Sequence, residues 1–177
     1  MTSARDLVVA IDRRVSLRLA DLRRSWLNAA MQMITWLGSA NVCFPLYGLG
    51  LLFGRSAWDT VIAILLIAEA LLFPLIVILR YACRRERPSA HRRRAWAPWN
   101  RYSFPSYHTA RAWLLASILT AGAPQLQAGM LLLALWISLS RLYLQKHYLS
   151  DVLAGATLGL LAGVAAKKLA EHLILAH

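Results

Sequence analysis

Apolar residues in this chain come in long blocks separated by short polar stretches, and the blocks set the expected architecture. Trp58 to Leu79, apolar except for Asp59 and Thr60 at its start and Glu69 within it, reads as a full membrane span, with a kink expected near Pro74. Tyr107 to Ala121, Leu126 to Leu139 and Val152 to Ala166 form three further spans, the first two joined by a turn at Gly122, Ala123 and Pro124. Trp26 to Gly54 is apolar as well, but Gly38, Ser39, Ala40 and Asn41 break it into a short helix, a bend and a second helix, neither half comfortable as a span alone. Gly155, Gly159 and Gly163 recur at four-residue spacing in the last span, which lets a neighbouring helix approach closely.

Residues 4 to 26 have a different rhythm. Val8, Ile11, Val15, Leu19, Leu22 and Trp26 recur at spacings of three and four, with Arg5, Asp12, Arg13, Asp21, Arg23 and Arg24 mostly elsewhere on the wheel. A basic amphipathic helix lying in the membrane interface accounts for this pattern, as does a cap packed on the rest of the domain. Arginines and aspartates interrupt any apolar core there, which excludes a signal peptide. The expectation is an all-α, polytopic transmembrane bundle of about five to six spans. Residues 1–24 form its N-terminal amphipathic interfacial helix and residues 25–177 the transmembrane domain.

Composition supports the membrane reading: 59% of residues are hydrophobic, against roughly 45–50% in soluble domains. The formal net charge of +12 is almost wholly arginine, which points to anionic lipid or a phosphorylated substrate. Nucleic acid is not an expected partner, because the arginines lie between apolar blocks rather than on a soluble basic face. Cys43 and Cys83 have no spacing that suggests a metal site or redox pair.

The polar stretches carry the candidate chemistry, and counting the crossings brings three of them to one membrane surface. They are Arg80 to Pro88, then Pro105 to His108, then Ser140 to Asp151. In the third, His147 stands four residues before Asp151; on a helix both would share a face, and the carboxylate could hold one ring nitrogen and sharpen the other. Arg141 can lie across a short turn from His147, where its planar fork suits a phosphate. In the second, Pro105 suits a helix's first turn, so that Ser106, Tyr107 and His108 would offer backbone N–H groups and a hydroxyl to an anion. Arg80, Arg87 and Arg141 would surround the same anion. Two histidines, one beside a carboxylate, are what phosphoryl transfer through a phosphohistidine needs. A positive juxtamembrane cluster that fixes topology accounts for Arg92, Arg93 and Arg94, and leaves both histidines unexplained.

These segments resemble the signature of the type 2 phosphatidic acid phosphatase family, related to vanadium haloperoxidases: Lys-x6-Arg-Pro, then Pro-Ser-Gly-His, then Ser-Arg-x5-His-x3-Asp. The third matches at every fixed position, and the resemblance covers roughly residues 58 to 166. It implies that His147 attacks phosphorus, Asp151 orients it and His108 protonates the leaving group. Arg80, Arg87, Ser106, the backbone amide of Tyr107 and Arg141 would hold the phosphoryl oxygens, with no metal and no cofactor. Two positions depart from the pattern: Arg80 replaces the usual lysine and Tyr107 the usual glycine. A helical first-turn conformation accommodates tyrosine there, and its ring is expected to shape the pocket mouth. Arg111, one turn after His108, is a possible substrate contact through a second phosphate or headgroup, or the partner of an acid. Glu69, inside a span, is by default a functional or pairing residue without a nameable partner.

The expected function is removal of the terminal phosphate from a lipid phosphate or diphosphate: a polyprenyl (di)phosphate, phosphatidylglycerol phosphate, phosphatidic acid or lipid A. The alternatives are a lipid phosphotransferase of the same fold and a non-catalytic protein that binds anionic lipid. If residues 25 to 54 cross twice, both chain ends lie opposite the site. This places the ends in the cytoplasm of a bacterium and the site on the outer face of its inner (plasma) membrane.

Overall fold

The computed structural model describes residues 3–53, 56–89, 98–122 and 124–175. Arg92, Arg93 and Arg94, read above as a topology signal, lie outside the described residues, as does Ala123 of the predicted turn. The described chain is all helical and contains no strand. In order, the helices are α1 (Ala4–Asp21), α2 (Ser25–Leu37), α3 (Ala40–Phe53), α4 (Ser56–Cys83), α5 (Tyr107–Gly122), α6 (Gln127–Tyr143) and α7 (Leu149–Leu175). Short 3₁₀ turns precede α5 and α6.

The break expected near Gly38 separates α2 from α3, which meet at 43°. α4 continues through Pro74 and past Leu79 to Cys83, and α6 continues past Leu139 to Tyr143, so Arg80 and Arg141 sit in last helical turns rather than in loops. Trp58–Cys83 and Leu149–His172 are long and apolar enough to cross a membrane, and the bent pair α2 and α3 makes a third candidate. α5 and α6, at 16 and 17 residues, fall short of the ~20 residues of a comfortable span.

The bundle is held together at close quarters by α5 and α7. A Cβ at Gly155 would stand 2.5 Å from the Ser106 carbonyl oxygen, and one at Gly159 would stand 2.1 Å from that of Ala110. Only hydrogen fits at either position, so the two backbones meet along this line. Beside the seam, Leu65, Leu72 and Ile76 of α4 pack with Leu114 and Ile118 of α5 and with Cys43 and Tyr47 of α3. A second cluster joins Ala112 and Ala116 of α5 to Ala134 and Ile137 of α6. Leucines such as Leu71 and Leu161 point outward and exposed, as lipid-facing positions do.

α1 begins with a capping box in which Ser3 and Asp6 exchange side-chain to backbone bonds at 3.2 and 3.1 Å. Its one buried residue is Asp12, counted above among the polar positions away from the apolar stripe. Val15 and Leu19 of that stripe are half-buried, whereas Val8, Ile11, Leu22 and Trp26 are exposed. The face that α1 turns to α6 and α7 is therefore centred on a carboxylate.

Candidate active site

The turn after α6 fixes the candidate nucleophile. Gln145 adopts a φ of +54°; its N–H donates to the Leu142 carbonyl at 3.0 Å and the N–H of Lys146 to that of Arg141 at 3.1 Å. This pair of bonds is a Schellman stop. A left-handed conformation costs a non-glycine residue about 1–2 kcal/mol. Here it is braced by the Gln145 side chain, which donates to the Ser16 carbonyl at 3.0 Å and accepts from the Ser16 hydroxyl at 2.5 Å. His147 thus stands between helices, not on a shared helical face with Asp151, which belongs to the first turn of α7. The expectation of one helical face is corrected: a stop and a restart bring the two residues together.

The imidazole has a definable tautomer. Its Nδ1 lies 2.7 Å from the Ser103 carbonyl, which can only accept, and its Nε2 lies 3.3 Å from Nη1 of Arg87, which can only donate. Nδ1 therefore carries the proton, and the Nε2 lone pair faces Arg87. Burial, together with the charges of Arg141, Arg87 and Arg80, holds the imidazole's pKa well below its usual value of 6.5, with the Ser103 carbonyl acting the other way. Asp151 Oδ2 is 3.7 Å from Nδ1, beyond hydrogen-bond range. Its oxygens instead accept from the Tyr148 N–H and from Arg85, each at 2.9 Å. The direct bond to His147 foreseen for Asp151 is made by the Ser103 carbonyl.

Arg80, Arg87 and Arg141 stand close enough to His147 to act on it by charge, and their hydrogen-bond partners among the described residues are neutral. Arg80 donates to the Asn100 side chain at 3.2 Å and the Pro105 carbonyl at 3.3 Å. Arg87 donates to the carbonyls of Asn100, Lys146 and Tyr102 at 2.9–3.3 Å, and burial holds its pKa below the usual arginine value despite the opposing charge of Asp151. Arg141 donates to the Thr35 hydroxyl at 2.8 Å. The Nε–H groups of Arg80 and Arg141 are buried and have no hydrogen-bond partner among the described residues. A buried donor left unsatisfied costs roughly 1–3 kcal/mol, and more when charged.

Ser106 joins this group through the seam of α5 and α7. Its N–H is taken by the Asp151 carbonyl at 3.0 Å, and its hydroxyl accepts from Thr109 at 3.0 Å. Of the amides foreseen as anion donors, Ser106's is thus already bonded. α5 starts at Tyr107, two residues after Pro105, so the N–H groups of Tyr107 and His108 have no acceptor one turn back within the helix. His108 lies within electrostatic reach of Arg141, His147 and Lys146.

Tyr107 and Arg111 turn the other way, into the bundle. The Tyr107 hydroxyl donates to Glu69 at 2.7 Å and accepts from Arg111 at 3.0 Å. Arg111 grips both Glu69 oxygens at 2.7–2.9 Å, and the Tyr47 hydroxyl adds a bond at 3.0 Å. Glu69 therefore has three partners, and Arg111 has the acidic partner left open above. The Tyr107 ring, 5.5 Å from that of Phe73, is tied to α4 and is not free at a pocket mouth.

Sequence reasoning did not find Ser103, Asn100, Thr35 or Arg85. Ser103 and Asn100 act partly through backbone carbonyls, which leave no side-chain signature, and Thr35 sits in an apolar run. Among the described residues, no group of three His, Cys, Asp or Glu side chains is placed to hold a metal ion.

The PAP2 superfamily model matches residues 57–174. Phosphatidylglycerophosphatase B of Bacillus subtilis (strain 168) is 32% identical over 173 residues, covering 87% of this chain and 80% of that protein. The crystal structure of a transmembrane PAP2 type phosphatidylglycerolphosphate phosphatase from Bacillus subtilis superposes with a TM-score of 0.78 at 29% identity, covering 94% of this chain and 88% of that one. Aquifex aeolicus LpxE superposes with a TM-score of 0.73 at 26% identity, covering 92% and 95%.

Proposed function

The chain belongs to the PAP2 superfamily, the type 2 phosphatidic acid phosphatases, and on that premise we propose that it hydrolyses the terminal phosphate of a lipid phosphate or diphosphate through a phosphohistidine. The observation that carries this reading is the Nε2 lone pair of His147 facing half-buried Arg87, with buried Arg80 and Arg141 close by, each of which has an Nε–H without a partner among the described residues. A phosphoryl group seated there satisfies those donors, and its charge offsets the arginines. Nε2 attacks phosphorus as the bond to the lipid oxygen breaks, and His108 delivers a proton to that oxygen. Water then attacks the phosphohistidine, His108 takes its proton, and inorganic phosphate leaves. Arg80, Arg87, Arg141, Ser106 and the Tyr107 amide hold the phosphoryl oxygens, which lets arginine do the work that a metal ion does in other phosphatases.

The relatives named for phosphatidylglycerol phosphate make that lipid the first substrate to try. In this reading residues 25–177 form the membrane-embedded catalytic domain, crossing about five to six times. α1 lies in the interface on the side of the site, because Asp12 and Ser16 bond Ser150, Arg85 and Gln145; the expectation that both chain ends lie opposite the site is corrected for the N-terminal end. The site faces the outer side of the bacterial plasma membrane. Phosphate release in detergent tests the function. Phosphatidylglycerol phosphate, phosphatidic acid and a polyprenyl diphosphate are compared with and without a chelator. Release from at least one of them, unaffected by chelator, is expected. No release from any lipid phosphate would overturn the hydrolase reading, dephosphorylation of the substrate only with an added acceptor lipid, which itself becomes phosphorylated, would make the protein a phosphotransferase, and strict dependence on a divalent ion would remove the arginine mechanism.

A further inference from the structure

α1 reaches the reaction centre by a route that the mechanism above does not use. The Asp12 carboxylate is buried, and each of its oxygens is spoken for. Oδ1 accepts the Ser150 N–H at 2.9 Å, and Oδ2 accepts the Ser150 hydroxyl and Arg85 Nη2, each at 2.6 Å. The other terminal nitrogen of Arg85 bonds Asp151 Oδ1 at 2.9 Å and the Ser150 hydroxyl at 2.5 Å. One guanidinium thus bridges two carboxylates, one on α1 and one in the first turn of α7. Those charges together raise its pKa above the usual arginine value, although burial alone would lower it.

The start of α7 explains why the bridge is needed. Helices leave their first N–H groups unpaired, and a short polar side chain at the residue before the helix normally accepts from the second or third. Here that residue is Tyr148, whose ring lies 4.2 Å from the Arg85 guanidinium carbon and has no oxygen near its backbone. Asp151, third in the helix, supplies half of a capping box by accepting the Tyr148 N–H. The other half, the acceptor for the second residue's N–H, is Asp12 from a different helix. The pieces that frame His147 on its α7 side are therefore aligned by a side chain far away in sequence.

We infer that Asp12 is a positioning residue: through Ser150 and Arg85 it fixes the first turn of α7 and the Asp151 carboxylate, and so the orientation of His147. Its catalytic consequence rests on the role proposed for His147. Without the Asp12 charge, Arg85 turns wholly to Asp151 and the α7 start loses its cap, so the packing that aims the His147 ring loosens while the arginines that bind phosphate are untouched.

The experiment uses the full chain in detergent with Asp12→Asn, Asp12→Glu and Leu19→Ala. The last trims a half-buried apolar residue of α1 and leaves the carboxylate in place. Two readouts are taken: kcat and KM for phosphate release from a lipid phosphate, and the ring ¹⁵N spectrum of His147, assigned by its loss in His147→Ala. Asp12→Asn should lower kcat by about ten- to a hundredfold with KM changed less than twofold, the scale of a small misplacement of a reacting group. Its His147 spectrum should change from a fixed Nδ1–H tautomer to a mixture. Asp12→Glu should recover part of both, and Leu19→Ala should lower the unfolding temperature while leaving kcat within twofold of the parent. The inference is overturned if folded Asp12→Asn keeps its kcat and an unmoved His147 spectrum, or if Leu19→Ala reproduces the loss of kcat. A parent protein that releases no phosphate would instead refute the proposed function, and the ring spectrum would still decide whether Asp12 positions His147.

Discussion

Replacing Glu69 with alanine should be among the most damaging changes available outside the active site. Glu69 and Arg111 are each about 2% exposed and meet at 2.7 Å, with Tyr47 and Tyr107 completing the carboxylate's shell. Removing one member of a buried ion pair leaves an uncompensated charge and costs about 3–5 kcal/mol. For a chain of this size that corresponds to a fall of roughly 6–20 °C in unfolding temperature. Tyr107→Phe removes only one of the donors to the carboxylate and should cost less, about 1.5–3 kcal/mol. Glu69→Leu combined with Arg111→Leu removes both charges together and should recover most of the loss. The chain carries its own reporter, because Cys43 is buried and Cys83 exposed. In a Cys83→Ser background, a thiol-reactive dye labels Cys43 as the core opens on heating. Glu69→Ala melting within about 2 °C of its parent would show that water or lipid already relieves Arg111, and would remove this network as the brace of α5.

His147→Ala should abolish phosphate release while leaving the fold and detergent behaviour intact; Asp151→Asn should retain a measurable fraction, because the ring's Nδ1 bond goes to the Ser103 carbonyl. Gly155→Ala would force a Cβ to within 2.5 Å of the Ser106 carbonyl and should lower kcat at least about tenfold by displacing Ser106 from Asp151. Gly48→Ala, with nothing within 4 Å, is the tolerated control. Because the folded protein keeps His147 neutral where the unfolded chain would protonate it near its ordinary pKa, the contribution of this residue to stability is complete above about pH 6.5 and is lost as pH falls below. The difference in unfolding temperature between the parent and His147→Gln should therefore shift against the parent between pH 7.5 and 5, and a constant difference would mean that the imidazole is not held neutral.

The helices were legible because apolar block length and glycine spacing are properties of consecutive residues. The break at Gly38 and the close approach along Gly155 and Gly159 could be read directly, and crossing parity was enough to gather the polar segments. Helix ends were less legible, since α4 and α6 run past their apolar blocks into the arginines of the candidate site. What the sequence hid was of two kinds. One was the work of backbone carbonyls, such as that of Ser103 on His147. The other was capping in trans, where Asp12 looked like one polar position on an amphipathic wheel because its partners, Ser150 and Arg85, are remote in sequence. Glu69 was visible as an anomaly inside a span, but its partners Tyr47, Tyr107 and Arg111 could be matched to it only once α3, α4 and α5 were packed together.

The gathering of arginines beside an uncharged imidazole would be a liability in most folds, and helix direction explains how this one tolerates it. α4 and α6 end at the site and α5 and α7 begin there, so two negative and two positive dipole ends meet in one place. Arg80 and Arg141 lie in the last turns of α4 and α6, where a cation contributes about 0.3–1 kcal/mol of favourable interaction with the carbonyl ends. Asp151 lies in the first turn of α7 and is favourable there for the opposite reason. The charges therefore support the helices before any substrate arrives, and an anion drawn to the positive end of α5 adds to that balance. Helix stability does not account for the Nε–H groups of Arg80 and Arg141, which are buried without an acceptor among the described residues while the same guanidinium groups bond neutral partners through their terminal nitrogens. Those two donors, more than the net charge of the cluster, are the feature that a bound phosphoryl group explains.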